Sequence, residues 1–148
     1  MTGAVVRAAR EDDLDGVLAL LRSLNEDAAV LPPADADRIW AEIAAVPGIT
    51  LYVSEDEGRL VSTCTLIVVP NLGRGGRPFA FVENVVTLPD ARRRGFGRAV
   101  ITAALDEAWA QGCFKVMLIT GPRTEGVVDF YRALGFEGGK TALQIRRL

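Results

Sequence analysis

The sequence predicts a mixed α+β fold in one domain, a central mixed β-sheet flanked by helices on both faces in the order β α α β β β α β α β. Three observations predict it. Apolar, β-branched runs in the middle of the chain are separated by short turns, so neighbouring strands there pair as hairpins. Segments with apolar residues three and four apart stand among them and read as amphipathic helices. The strand–helix–strand unit over residues 79–120 requires a right-handed parallel crossover, which adds a parallel pair to an otherwise antiparallel sheet.

Residues 4–8 (AVVRA) read as the opening strand. The following helix carries Leu14, Val17, Leu18, Leu21 and Leu24 on one stripe, with acids in its first turn, where the helix dipole favours them. Pro32 and Pro33 interrupt the chain, and residues 34–46 form a second helix with Ile39, Trp40, Ile43 and Val46 on one face. Residues 49–54 and 60–69 are strands around a turn at Gly58, and 79–88 is the third strand of the series. Between them, PNLGRGGRP (70–78) has no periodicity and is a loop. A long helix over about 91–111 buries Phe96, Val100, Ile101, Ala104, Leu105, Ala108 and Trp109 and ends at Gly112. A buried strand (113–120), a short helix (124–135) and a last strand (142–148) complete the order.

The chain has 148 residues, enough to bury a real core, and a net charge of −2, which argues against nucleic acid as partner. No apolar run reaches the ~18 residues a bilayer crossing needs, so no membrane partner is expected. Two cysteines, Cys64 and Cys113, lack any metal or disulfide spacing and fit a reducing, cytoplasmic setting. Histidine is absent altogether. That removes Ser-His-Asp and Cys-His nucleophiles and His-containing zinc sets, so no metal is expected. Proton transfer is left to carboxylates, tyrosine, lysine, cysteine, backbone or water.

Against this background VTLPDARRRGFGRAV (86–100) is anomalous. Three like charges, Arg92, Arg93 and Arg94, precede Gly95, Phe96, Gly97 and Arg98 where a helix begins, although each glycine costs a helix about 1 kcal/mol. A bound anion compensates both features. Helix N-termini present unpaired N–H groups, and glycine lets the backbone approach a phosphate with no Cβ in the way. The spacing R-x-x-G-x-G suits a pyrophosphate gripped by backbone, with the arginines supplying peripheral charge. Neither a P-loop G-K-[ST] nor a dinucleotide G-x-G-x-x-G is present.

This stretch resembles motif A of the GNAT N-acetyltransferase superfamily, and VVDFYRALGFE (127–137) resembles its motif B. The element order is similar over nearly the whole chain, most of all to the glucosamine-6-phosphate N-acetyltransferase-like branch. The resemblance implies acetyl-CoA as co-substrate and a small-molecule amine as acceptor. It implies that amides from Arg93 through Arg98 hold the pyrophosphate. It also implies that the strand before the turn splays from its neighbour, so that free backbone groups at Val85, Val86 and Thr87 receive the pantetheine arm. Tyr131 would protonate the departing thiolate, a role for which the ordinary acidities of a phenol and a thiol are suitably close. The branch further implies a possible homodimer built through the C-terminal strand.

Glu83 and Asn84 interrupt a strand that is otherwise apolar on both faces, which predicts a central, buried position. Alternation groups Phe79, Phe81, Glu83, Val85 and Thr87 on one side, with Asn84 on the other. An unpaired buried carboxylate costs several kcal/mol, which makes Glu83 a candidate general base for the attacking amine. The acidic position of the sugar-phosphate branch has that role; the next residue there is aspartate, whereas here it is Asn84. Arg74 and Arg77, in the 70–78 loop, are candidates for an anionic group on the acceptor or for plain solubility. A non-catalytic acyl-CoA-binding domain and a peptide N-acetyltransferase are the alternatives.

Overall fold

Strand β1 (Val5–Ala8) lies at one edge of a five-stranded sheet, followed spatially by β2 (Ile49–Asp56), β3 (Arg59–Val69), β4 (Phe79–Thr87) and β5 (Val116–Met117). The computed structural model describes residues 4–121 and 126–147, which fall into two units, Met1–Met117 and Leu118–Leu148. The sheet belongs to the first, with helices α1 (Leu14–Leu24), α2 (Pro33–Ala45) and α3 (Phe96–Ala110). The second contains helix α4 (Val127–Ala133). Among the described residues no helix is long and apolar enough to cross a membrane.

The first three pairings are antiparallel and β4–β5 is parallel, as the crossover through α3 demands. Asp56 pairs with Arg59 across a two-residue turn, Glu57 (φ 50°) and Gly58 (φ 81°). Both are left-handed, the turn geometry whose twist matches that of the strands it joins.

Helices cover both faces. Ser54 Oγ donates to the Phe96 carbonyl (3.2 Å) and Cys64 Sγ to that of Val100 (3.4 Å), which places α3 over the face carrying these side chains. The other face holds buried Val53 and Thr63. Arg7, the register partner of Val53, reaches Asp13 Oδ2 at 2.6 Å, so the turn leading into α1 lies over that face. Arg7 also pairs with Glu55. The Arg7 guanidinium and the Arg10 amide hold the Asp13 carboxyl below the usual carboxylate range. Where α1 meets β3, a Cβ on Gly16 would stand 2.8 Å from Leu60 Cδ1, so a larger residue there would require the leucine side chain to shift.

Several boundaries differ from expectation. The long helix starts at Phe96, not near 91, because Arg93 (φ 61°) and Gly95 (φ 90°) are left-handed and cannot continue a right-handed helix. β5 forms over Val116–Met117 alone instead of 113–120. Residues 142–147 form no strand: they are exposed, with Leu143 and Ile145 at 90% and 98%, since a strand pattern without a paired neighbour has no ladder. Trp109, expected in the core, is 51% exposed near the C-terminal end of α3. Val100, Ile101, Ala104 and Ala108 are buried as expected.

Candidate functional site

The arginine–glycine turn joins β4 to α3. After a short 3-10 turn at Pro89–Ala91, Arg92 is extended, and Arg93 and Gly95 adopt left-handed conformations. The Ala99 N–H finds the Gly95 carbonyl at 3.0 Å. The amides of Phe96, Gly97 and Arg98 lie in the first turn before it, the donors a helix leaves without an internal acceptor. Alternation of left-handed residues with extended and helical ones is the backbone pattern from which concave anion nests are built. Gly95 has open space where a Cβ would project. Gly97 is helical within α3.

Packing holds this turn in place. Phe96 is 5% exposed and clusters with buried Val61 and Ala91. Arg94 lies over the Phe96 ring (5.0 Å to its centroid) and bridges to Asp56 at 2.8 Å. Arg92 Nε donates to the Thr87 carbonyl at 3.2 Å, which fastens the turn to the end of β4. Arg93 and Arg98 make no ion pair among the described residues.

β4 changes character halfway along. Its ladder with β5 registers only Ala80 with Val116 and Phe81 with Met117. On the β3 side Thr63 pairs with Val86 and Thr65 with Glu83, so Asn84 and Val85 together oppose Cys64. This is a bulge, and Asn84 takes its left-handed position (φ 52°), which asparagine tolerates better than most residues. From Val82 to Thr87 the edge that faced β5 has no ladder from β5, the segment that contains Val85, Val86 and Thr87.

The structure corrects the reading of this segment twice. First, Glu83 and Asn84 are exposed, so the penalty expected for a buried carboxylate does not arise. Second, the alternation slips by one residue. Thr63 and Thr65 share a face of β3, so their partners Val86 and Glu83 share one as well. Thr87 pairs with Ser62 on the α3 face, the opposite side from Glu83.

The loop arginines lie elsewhere. Arg77 donates to the carbonyls of Gly112 (3.2 Å) and Cys113 (3.1 Å), and Arg74 stacks over Phe114 at 5.4 Å. These contacts are at the C-terminal end of α3, whose 15 residues put it roughly 22 Å from the arginine–glycine turn. The structure therefore brings the 85–87 segment and the 92–98 turn together, and ties Arg77 to main chain.

In the second unit, Tyr131 is half-buried on α4. Its ring makes edge contacts with Phe130 (5.2 Å between centroids) and Phe136 (5.8 Å). The Phe136 amide donates to the Tyr131 carbonyl at 3.1 Å as the helix ends.

Sequence reasoning missed Ser54 and Ser62. Both are fully buried, and Ser62 Oγ lies 3.0 Å from the Val86 carbonyl and 2.8 Å from Thr87 Oγ1. The available signal was small polar residues inside otherwise apolar strands. Among the described residues no cluster of three or more His, Cys, Asp or Glu could hold a metal ion.

Comparison with known proteins agrees with this architecture. The model of the acetyltransferase (GNAT) family matches residues 17–136. A glucosamine 6-phosphate N-acetyltransferase of Trypanosoma brucei brucei is 30% identical over 144 residues, 95% of this chain and 93% of that protein. An IAA acetyltransferase of Azospirillum brasilense is also 30% identical, over 133 residues, 88% of this chain and 84% of its own. A solved structure from Agrobacterium tumefaciens str. C58, provisionally named an acetyltransferase, superposes with a TM-score of 0.92 at 44% identity. It covers 97% of this chain and 99% of that one. The chain belongs to the acetyltransferase (GNAT) family.

Proposed function

We propose that the chain is an acetyl-CoA-dependent N-acetyltransferase of small-molecule amines that works by direct attack within a ternary complex. One observation carries the reading: an arginine–glycine turn with left-handed residues, leading into the first turn of α3, is fastened to a strand that has no ladder from β5 beyond Phe81. The donor set fits the group. Amides of the first helical turn, with Arg93 and Arg98 beside them, suit a pyrophosphate, and an unladdered strand edge suits an amide-bearing arm.

In this reading Glu83 takes a proton from the acceptor ammonium, directly or through a water, which its exposed position permits. The neutral amine forms the new C–N bond as the thioester C–S bond breaks, and the nitrogen then releases its surplus proton to solvent, from which the Tyr131 phenolate is reprotonated. A backbone amide of the 85–87 segment polarises the thioester carbonyl, and Tyr131 gives its phenolic proton to the thiolate. The absence of histidine supports attack without an acyl-enzyme. The exposed residues Leu143 and Ile145 support a homodimer in which a second copy covers the tail, and the one-domain, cytoplasmic reading belongs to the same proposal.

The test is a thiol-release screen with acetyl-CoA against amino sugars and their phosphates, polyamines, amino acids and peptides. Release with one small amine supports the proposal. Turnover of peptides alone overturns the small-molecule acceptor. Heat of CoA binding without release from any amine overturns catalysis in favour of a binding domain.

A further inference from the structure

Beneath the two donor-binding elements lies a row of buried hydroxyl and thiol groups. Ser54 of β2 and Ser62 of β3 are register partners, and both are fully buried on the α3 face. Ser54 Oγ donates to the Phe96 carbonyl (3.2 Å), in the first turn of α3. Ser62 has one proton; donated to the Val86 carbonyl at 3.0 Å, it leaves Thr87 as donor in the 2.8 Å contact between the two hydroxyls. One serine of the pair thus grips the helix that opens the anion turn. Its neighbour grips the strand just beyond the bulge.

A hydroxyl in an apolar core needs a reason, because an apolar residue of similar size satisfies packing without a polar group to desolvate. Neither bond closes a secondary-structure ladder. Both end on carbonyls of the two segments that the proposed donor spans. Cys64 repeats the device one turn along α3, donating to the Val100 carbonyl at 3.4 Å.

We infer that Ser54 and Ser62 are positioning residues: hydrogen-bonded to Phe96 and Val86, they set the anion turn and the bulged strand at the separation the acyl donor requires. The inference rests on the acetyl-CoA reading and assigns each serine one half of the donor. Ser54 acts on the nucleotide half through α3. Ser62 acts on the thioester half through Val86 and Thr87.

The test uses the full chain and begins with a calorimetric titration of the wild-type protein with CoA. Ser54→Ala is expected to weaken binding of 3′-phosphoadenosine 5′-diphosphate, the nucleotide half alone, and raise the KM for acetyl-CoA by about tenfold, the effect of one lost hydrogen bond, with kcat little changed. Ser62→Ala is expected to leave nucleotide binding within about twofold while kcat falls by about tenfold. Ser54→Cys and Ser62→Cys keep a weaker donor and should recover part of each loss; they also replace the alanine variants if those fail to fold. Equal losses in both parameters for both serines, or lower melting temperatures with KM and kcat unmoved, overturn the inference. Absence of wild-type CoA binding instead overturns the acetyl-CoA reading itself, and the inference with it.

Discussion

Gly95 and Gly112 offer a matched pair at the two ends of α3. Gly95 has φ 90° and Gly112 φ 80°, and at neither position would a Cβ meet any atom within 4 Å. Alanine at either place therefore clashes with nothing and suffers only left-handed strain. That strain costs about 1–2 kcal/mol, offset by roughly 0.5 kcal/mol because alanine also restricts the unfolded chain. Both variants should lose about 1 kcal/mol of stability, a fall in melting temperature of about 3 °C for a chain of this size. Their functional effects should diverge. At Gly95 the added methyl occupies the open side of the proposed pyrophosphate nest, whereas Gly112 lies a helix length away. Loss of one charge-assisted hydrogen bond is about 1.5–3 kcal/mol, so Gly95→Ala should raise the KM for acetyl-CoA at least about tenfold. Gly112→Ala should stay within about twofold. Thermal melts and initial rates on both variants decide the matter. If the two variants shift stability alike and KM alike, the turn is not the anion site.

Tyr131→Phe should lower kcat by about 10²-fold or more, the usual scale of a lost proton donor, with KM for acetyl-CoA little changed; unchanged kcat removes Tyr131 from the mechanism. Glu83→Gln should lower kcat similarly, and a variant as active as wild type would assign the proton to solvent. Asp13 is held ionised by Arg7, so its contribution to stability is present above the ordinary carboxylate range and lost as pH falls through its depressed folded value. Acid unfolding followed by circular dichroism should therefore steepen below the ordinary carboxylate range, and Asp13→Asn should flatten that slope and lower stability near neutrality. A slope unaffected by the substitution would refute the assignment. Burial pushes the Cys64 thiol up to about 12 and that of Cys113 upward as well. The native protein should thus react with a thiol reagent at pH 8 only after denaturation, which lets the same reagent report released CoA without protein background. Stoichiometric labelling of the native chain would contradict the burial.

The parts of this molecule that could be read from sequence are those written locally. Gly58 spells a two-residue hairpin and Gly112 a helix end, because each acts through residues only a few positions apart. Glu83 could not be read correctly. It stands beyond the end of the β5 ladder at Phe81 and just before the bulge, whose extra residue moves every later side chain of β4 to the other face. The pair Glu83–Asn84 carried a hint, since asparagine is among the few residues at ease with left-handed φ, but whether a bulge forms depends on the register with β3. The last strand misled for a related reason. Alternation in residues 142–148 describes a segment suited to a ladder, and only a neighbouring strand makes it one. Ser54 and Ser62 were invisible because a buried hydroxyl is meaningful only through the carbonyl it meets, here 42 and 24 residues away.

The same contrast between local and distant determinants explains why the donor is legible and the acceptor is not. In the proposed reading donor recognition would rest on backbone amides and a strand edge, groups every residue type supplies, so the sequence need only provide glycine and a helix start. An acceptor must be read by side chains. On the face that carries Glu83, the register adds Phe79 and Phe81, whose rings stand edge-to-face at 5.9 Å, with Lys115 near the Phe79 ring. α1 and its leading turn approach this face from a segment more than fifty residues earlier. Relatives that share 30% of this sequence carry names with different acceptors, as expected if a few such side chains choose the amine while the turn and the bulged strand stay the same. Substitutions at Phe79 or Phe81 should accordingly redistribute activity across the amine panel while leaving the KM for acetyl-CoA within about twofold, since an apolar contact of this size discriminates acceptors by ~1–3 kcal/mol. A loss of acetyl-CoA affinity from the same substitutions would mean that donor and acceptor are not read by separate faces of β4.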